Sequence, residues 1–227
     1  MIPDVLTVWP KNCDYPLWRQ MIRDNRSYFN EIIIVFMETN QGEDYRQFVR
    51  DAMFQDHVLC IDSPTIQAGQ DWRNVAVNAG LQHSLHSEWI WFTEQDFFPH
   101  EKFFESVESF VEAADYIGVA EGERLHPCSL FIKRAVLNNT HKNFGIVPDK
   151  LDHFGLITKD LIDNNQIGAI VSPDLYTHMN GLSHNISLLA RGEAPNWKPL
   201  EFKKYLEECK NVTVPQDPRF SALYSMI

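Results

Sequence analysis

The sequence predicts a single α/β domain, a three-layer α/β/α sandwich whose mostly parallel central sheet carries a mixed C-terminal extension. Three observations predict it. Apolar strand-like runs alternate with helix-like periods through the first hundred residues. The 227 residues, 44% of them hydrophobic, suffice for one sizeable core. No repeat, low-complexity tract or linker divides the chain, so residues 1–227 read as one unit. Within it, 1–98 and 99–194 form two halves and 195–227 a surface-wrapping tail.

The elements follow in order. Residues 5–9, 32–37 and 58–61 read as strands, separated by helices over 16–25 and 44–54; the resulting βαβαβ series implies parallel strands covered on both faces. Trp72, Val75, Ala76 and Ala79 recur at helical spacing and predict a helix over 72–85 that feeds a strand at 89–92. Phe103, Phe104, Val107, Phe110 and Val111 fall on one stripe, which marks 100–113 as an amphipathic helix. Strands at 116–120 and 129–133, a helix over 151–164 with Phe154, Ile157, Leu161 and Ile162 inward, and a short strand at 169–171 make up the extension. Residues 172–185 then read as a polar loop.

Composition narrows the functions. A formal net charge of −11 leaves no basic field to attract a phosphate backbone, so nucleic acid is not an expected partner. The longest apolar run, 32–37, is far short of the roughly 20 residues that span a bilayer. The N-terminus lacks the basic flank and apolar core of a secretory signal, so the expected address is cytoplasmic. Cys13, Cys60, Cys128 and Cys209 show no CxxC spacing and are expected to be reduced thiols. Four N-x-S/T matches, at Asn25, Asn138, Asn185 and Asn211, carry no weight without a secretory context.

The strand at 89–92 runs directly into Thr93-Glu94-Gln95-Asp96, two carboxylates two residues apart past the carboxyl end of a buried strand. That edge is where open α/β sheets bind ligands. An acid-x-acid pair there suits a divalent cation with positions left open for phosphate oxygens. The alternative is a pair of solvated turn residues capping the helix after Pro99. A second polar cluster, Thr177-His178-Met179-Asn180-Gly181-Leu182-Ser183-His184-Asn185, follows the last strand. Gly181 would permit a turn that returns His184 toward His178. The remaining histidines, His57, His83, His86, His100, His126, His141 and His153, show no paired metal spacing and read as structural.

Gly69-Gln70-Asp71-Trp72-Arg73-Asn74, followed by Trp89 to Asp96, resembles the central signature of family-2-like glycosyltransferases, which have the nucleotide-diphospho-sugar transferase or GT-A fold. In that family a Gly-rich turn leads to an Arg-Asn pair, and an apolar strand then ends in Asp-x-Asp. Here the first acid is Glu94, which leaves Asp96 as the surer ligand. Residues 5–10, 32–38 and 129–134 resemble the family's nucleotide-binding and post-motif strands, which implies that 1–98 is the nucleotide-binding half and 99–194 the acceptor-side half.

The resemblance implies a donor site of Pro10, Glu38, Arg73, Asn74, Glu94 and Asp96. It also implies Mn2+ or Mg2+ held by Asp96, His178 and Glu94, with His184 in reserve. Asp152, near the start of a late helix, matches the acceptor-activating base of inverting members, with Asp149 as fallback. A helix N-cap is its other reading. The implied function is metal-dependent transfer of a sugar from a nucleoside diphosphate sugar to an acceptor hydroxyl on a glycan, lipid-linked or protein acceptor. Inversion is expected, retention being the alternative if Asp152 only caps. A non-catalytic nucleotide-sugar or carbohydrate-binding protein on the same fold is the competing class. Sugar-phosphate nucleotidyl transfer is disfavoured because residues 10–16, after the first strand, hold no glycine; no G-x-G-x-x-G marks a dinucleotide enzyme.

Overall fold

A computed structural model describes residues 1–9, 16–37, 58–83, 86–121, 124–146 and 153–178, together with positions 188, 192–193 and 207. The helix expected over 44–54 and all but one residue of the tail lie outside this range.

Nine strands and five helices are present among the described residues: β1 (Asp4–Trp9), α1 (Pro16–Asp24), β2 (Ile32–Phe36), β3 (Val58–Asp62), α2 (Trp72–Leu81), β4 (Trp89–Thr93), β5 (Phe97–Pro99), α3 (Phe103–Phe110), β6 (Tyr116–Glu121), β7 (Arg124–Lys133), α4 (Arg134–Asn138), α5 (Gly155–Asp163), β8 (Gly168–Ile170) and β9 (Tyr176–His178). Seven strands form one sheet in the order β3-β2-β1-β4-β7-β6-β8. Only β7 runs against the others. This is the α/β class read from the sequence, mostly parallel with a mixed extension, and the one sheet takes strands from both halves of the chain.

Side chains of a strand alternate between faces, and the central strands use both. Val5, Ile32, Ile34, Phe36, Trp89 and Trp91 enter one core with Trp18 of α1 and Phe103, Phe104 and Val107 of α3. Leu6, Ile33, Val35, Ile90 and Phe92 enter the other, with Ala76 and Val77 of α2, Val136 and Leu137 of α4, and Ile157 and Leu161 of α5. Two cores separated by a sheet account for the near-continuous apolar runs, since a parallel strand covered on both faces has no solvent side. Gly80 permits the close approach of α2: a Cβ there would lie 2.2 Å from Leu6 Cδ1.

Several expected boundaries move. Helix α2 stops at Leu81, short of 85, and α3 occupies Phe103–Phe110 within the expected 100–113. Helix α5 starts at Gly155 and is capped by Phe154 in the left-handed conformation, so the N-cap reading of Asp152 is displaced. Ile162, expected inward, is 59% exposed: Ile157 and Leu161, four residues apart, face the core, and the next position along the helix turns about 100° away from them. Strand β7 begins at Arg124, five residues earlier than expected, and the polar loop after β8 contains a strand, β9, that pairs with β5. The short strand expected at 169–171 is β8, one residue earlier, whereas β5 and β9 lie in stretches whose polar residues mask any strand pattern.

Asp4 ties the amino end of the sheet together. Its fully buried carboxylate accepts hydrogen bonds from the amide and hydroxyl of Ser87, from Asn30 Nδ2 and from the Glu31 amide, and pairs with Arg134. Burial pushes its pKa up, but the Ser87, Asn30 and Glu31 donors outweigh that and hold it below the ordinary value. A carboxyl with a depressed folded pKa stabilises the fold above its unfolded pKa of about 4 and loses that contribution as pH falls through the folded value. Urea unfolding between pH 2 and pH 7 is therefore expected to show stability falling on acidification, with a shallower fall in Asp4→Asn. Equal slopes would remove Asp4 as the cause.

Candidate metal and donor site

The strand order reverses between β1 and β4: from β1 the chain builds outward through β2 and β3, then returns to place β4 on the opposite side. Crevices at such a reversal, beyond the carboxyl ends of the strands, are where open sheets bind ligands. Glu94, Gln95 and Asp96 follow β4 at that place. The middle residue faces inward: the buried Gln95 donates from Nε2 to Thr7 Oγ1 at 2.6 Å and to the Val8 carbonyl at 2.7 Å. Bolting residue 95 to β1 leaves its two acidic neighbours to face the rest of the site. The side chains of Glu94 and Asp96 are only 20% and 13% exposed, which rules out solvated turn acids, and α3 takes its cap from Lys102 instead.

His178 reaches them through the β5–β9 ribbon, in which it stands opposite Phe97, the residue after Asp96. His178 Nε2 lies 3.6 Å from Glu94 Oε2 and 3.4 Å from Asp96 Oδ1, and one ligand-capable atom of each residue lies within 4.8 Å of the others. His100 fastens the ribbon, with one ring nitrogen against the Asp174 carbonyl and the other against Thr177 Oγ1. That is a structural role, as its sequence context suggested.

The three groups set one another's charge. Burial opposes ionisation of Glu94, but the adjacent Arg73 guanidinium and then His178 hold its pKa down at about 2. Burial raises the pKa of Asp96, and the like charge of Glu94 adds to the rise. Burial alone would lower His178, yet the Asp96 and Glu94 carboxylates raise it to about 9. The acids thus keep a positive charge among them at neutral pH. Buried carboxylate oxygens beside an imidazole are also a donor set that fits Mn2+ or Mg2+.

Arg73 forms an ion pair with Glu94, and its guanidinium lies 4.8 Å from the centre of the Trp72 ring. Asn74 is engaged elsewhere: its Oδ1 accepts from the Phe144 amide at 3.0 Å and from Asn78 at 2.9 Å, fastening α2 to the segment before α5. Pro10, Glu38, Asp152, Asp149 and His184 lie outside the described residues. Two residues read as structural stand near the site. His153 Nδ1 is 3.4 Å from Asp71 Oδ2, with its ring edge-on to Trp72. The His126 ring meets that of His178 with centroids 4.5 Å apart. No sequence spacing signals either contact, because each crosses between distant segments.

Three solved structures share this architecture. TarS of S. aureus superposes over 93% of this chain with a TM-score of 0.54 and 16% identity, and this chain spans 43% of the TarS chain. The galactosyltransferase LgtC, solved with donor and acceptor sugar analogues, matches over 96% of this chain and 99% of its own, with a TM-score of 0.54 and 10% identity. The chain has the GT-A fold. Glucosyl-3-phosphoglycerate synthase of Mycobacterium tuberculosis, solved with phosphoglyceric acid, matches over 95% and 82% of the two chains, with a TM-score of 0.51 and 14% identity. No family profile and no curated protein matches the sequence. The GT-A neighbours thus agree with this chain in fold at identities too low to carry residue roles. Among the described residues no helix is long and apolar enough to cross a membrane.

Proposed function

We propose that the protein is a metal-dependent glycosyltransferase that moves a sugar from a nucleoside diphosphate sugar to an acceptor hydroxyl with inversion. The observation that carries this reading is the convergence of Glu94, Asp96 and His178 at the carboxyl end of β4, at the strand-order reversal of a GT-A fold. In this reading Asp96, His178 and Glu94 hold Mn2+ or Mg2+, which when bound offsets charge on the departing diphosphate.

The chain's own groups do the rest. Arg73 keeps Glu94 ionised and sets a fixed positive charge at the rim. Count Arg73 with the two acids, and a divalent cation in place of the His178 proton leaves one net positive charge, a field that favours a diphosphate over water. Pro10 and Glu38 follow the ends of β1 and β2 in sequence and are assigned to the nucleoside. Asp152 takes the acceptor proton as the hydroxyl attacks the face opposite the diphosphate.

The test is a panel of nucleoside diphosphate sugars with and without manganese, read by thermal shift and by released nucleoside diphosphate. At least one donor is expected to raise Tm only with metal and to be turned over when an acceptor is supplied. Metal-dependent binding without turnover of any donor would favour the non-catalytic binding protein. No metal-dependent stabilisation by any donor would overturn both.

A further inference from the structure

Strands β6 and β7 lose register beside the site. Gly118 pairs with Leu130 but Ala120 with Leu125, so four residues of β7, His126 to Ser129, stand against Val119 alone. Bulges of this kind re-aim side chains, and they tolerate proline because no ladder bond needs its missing N–H. Pro127 occupies this one. The bulge is pinned to the end of β4: the Cys128 carbonyl accepts from the Glu94 amide at 3.1 Å and from Thr93 Oγ1 at 3.3 Å. It places His126 against the ring of His178, and a ligand-capable nitrogen of each histidine and the Cys128 sulfur all lie within 4.8 Å of one another. Cys128 is fully buried and His126 is 8% exposed.

We propose that His126, Cys128 and His178 form a binding site for a thiophilic divalent cation, zinc above all, with a donor set different from that of Glu94 and Asp96. Two imidazoles and a thiolate favour zinc over manganese or magnesium, and three protein ligands leave its fourth position open. Binding releases the Cys128 thiol proton to solvent. His126 Nδ1 accepts from the Cys128 amide at 3.1 Å, so a cation at that nitrogen exchanges one hydrogen bond for a metal–nitrogen bond. Because His178 belongs to both sets, a cation held by the thiolate draws the imidazole away from the carboxylates and competes with manganese for it. The site rests on these donors alone and stands whether or not the protein transfers sugar.

Cobalt(II) is the probe, titrated into the whole chain under reducing conditions and read by absorbance. The expected result is one cobalt per chain with a near-ultraviolet thiolate-to-cobalt charge-transfer band, bleached by zinc. His126→Gln is expected to weaken cobalt binding at least about tenfold, and Cys128→Ala to remove the band. Asp96→Asn, which disables only the carboxylate set, is expected to retain it. His126 keeps a sliver of solvent exposure where Cys128 has none, so its variant decides the matter even if Cys128→Ala does not fold, with circular dichroism as the check on both. Absence of the band from the wild type overturns the site, as does a band that survives Cys128→Ala or an undiminished affinity in His126→Gln.

Discussion

Asp96→Asn is expected to lower sugar transfer by at least about a hundredfold, the scale on which single preorganised electrostatic groups act in catalysis. It is also expected to abolish the rise in Tm that donor and manganese together are expected to give the wild type under the proposed function. The physical reason is the pairing within the site. Asp96 is buried beside Glu94 and His178, and the amide of Asn is isosteric but brings no charge to hold a cation. Glu94 already spends much of its charge on Arg73, so it cannot replace the lost carboxylate. Asp152→Asn supplies the contrast: donor binding is expected to survive and turnover to stop, because an acceptor base acts after the donor is bound. Equal loss of binding in the two variants would overturn the division of labour between them.

Trp91→Ala is expected to destabilise the fold by about 3–5 kcal/mol, the range for deleting a large buried aromatic ring. The Trp91 ring is fully buried and stacks on Phe131 at 5.1 Å and 4° and on Phe29 at 5.3 Å and 20°, with Phe97 and Phe104 edge-on. Its Nε1 also donates to Ser129 Oγ, which the variant strands in the core. A domain of this size has a total stability of about 5–15 kcal/mol, so much of the margin would go. Urea unfolding should show a lower midpoint at unchanged slope; a loss under about 1 kcal/mol would mean that the aromatic cluster closes over the gap.

The sheet was legible because both of its faces are covered. Runs such as Ile32–Phe36 and residues 89–92 are apolar at every position, and no solvent-facing strand looks like that. The acid pair was legible too, since residues adjacent in sequence at the end of a strand stay adjacent in space. What brings His178 to it was not: β5 and β9 span three residues each and lie far apart in the chain, and their pairing is written in a register that only the folded sheet fixes. His126 was read as structural because the histidines around it show no paired metal spacing, and the bulge that redirects it depends on how β7 meets β6. Gln95 offered no signal beyond a polar letter between two acids, yet its bonds to Thr7 and Val8 decide which way those acids point.

The β5–β9 ribbon has one further consequence. It is a separate two-stranded sheet of three residue pairs, outside the seven-stranded one. Small units with few ladder bonds open at lower free energy than the strands of a central sheet. The His178 imidazole is therefore carried on a latch and the two acids on the door frame. Opening the latch removes the imidazole and leaves the carboxylates where the sheet holds them, while any cation bound across all three closes it again. In such a design the occupancy of the site and the closure of the ribbon are one equilibrium.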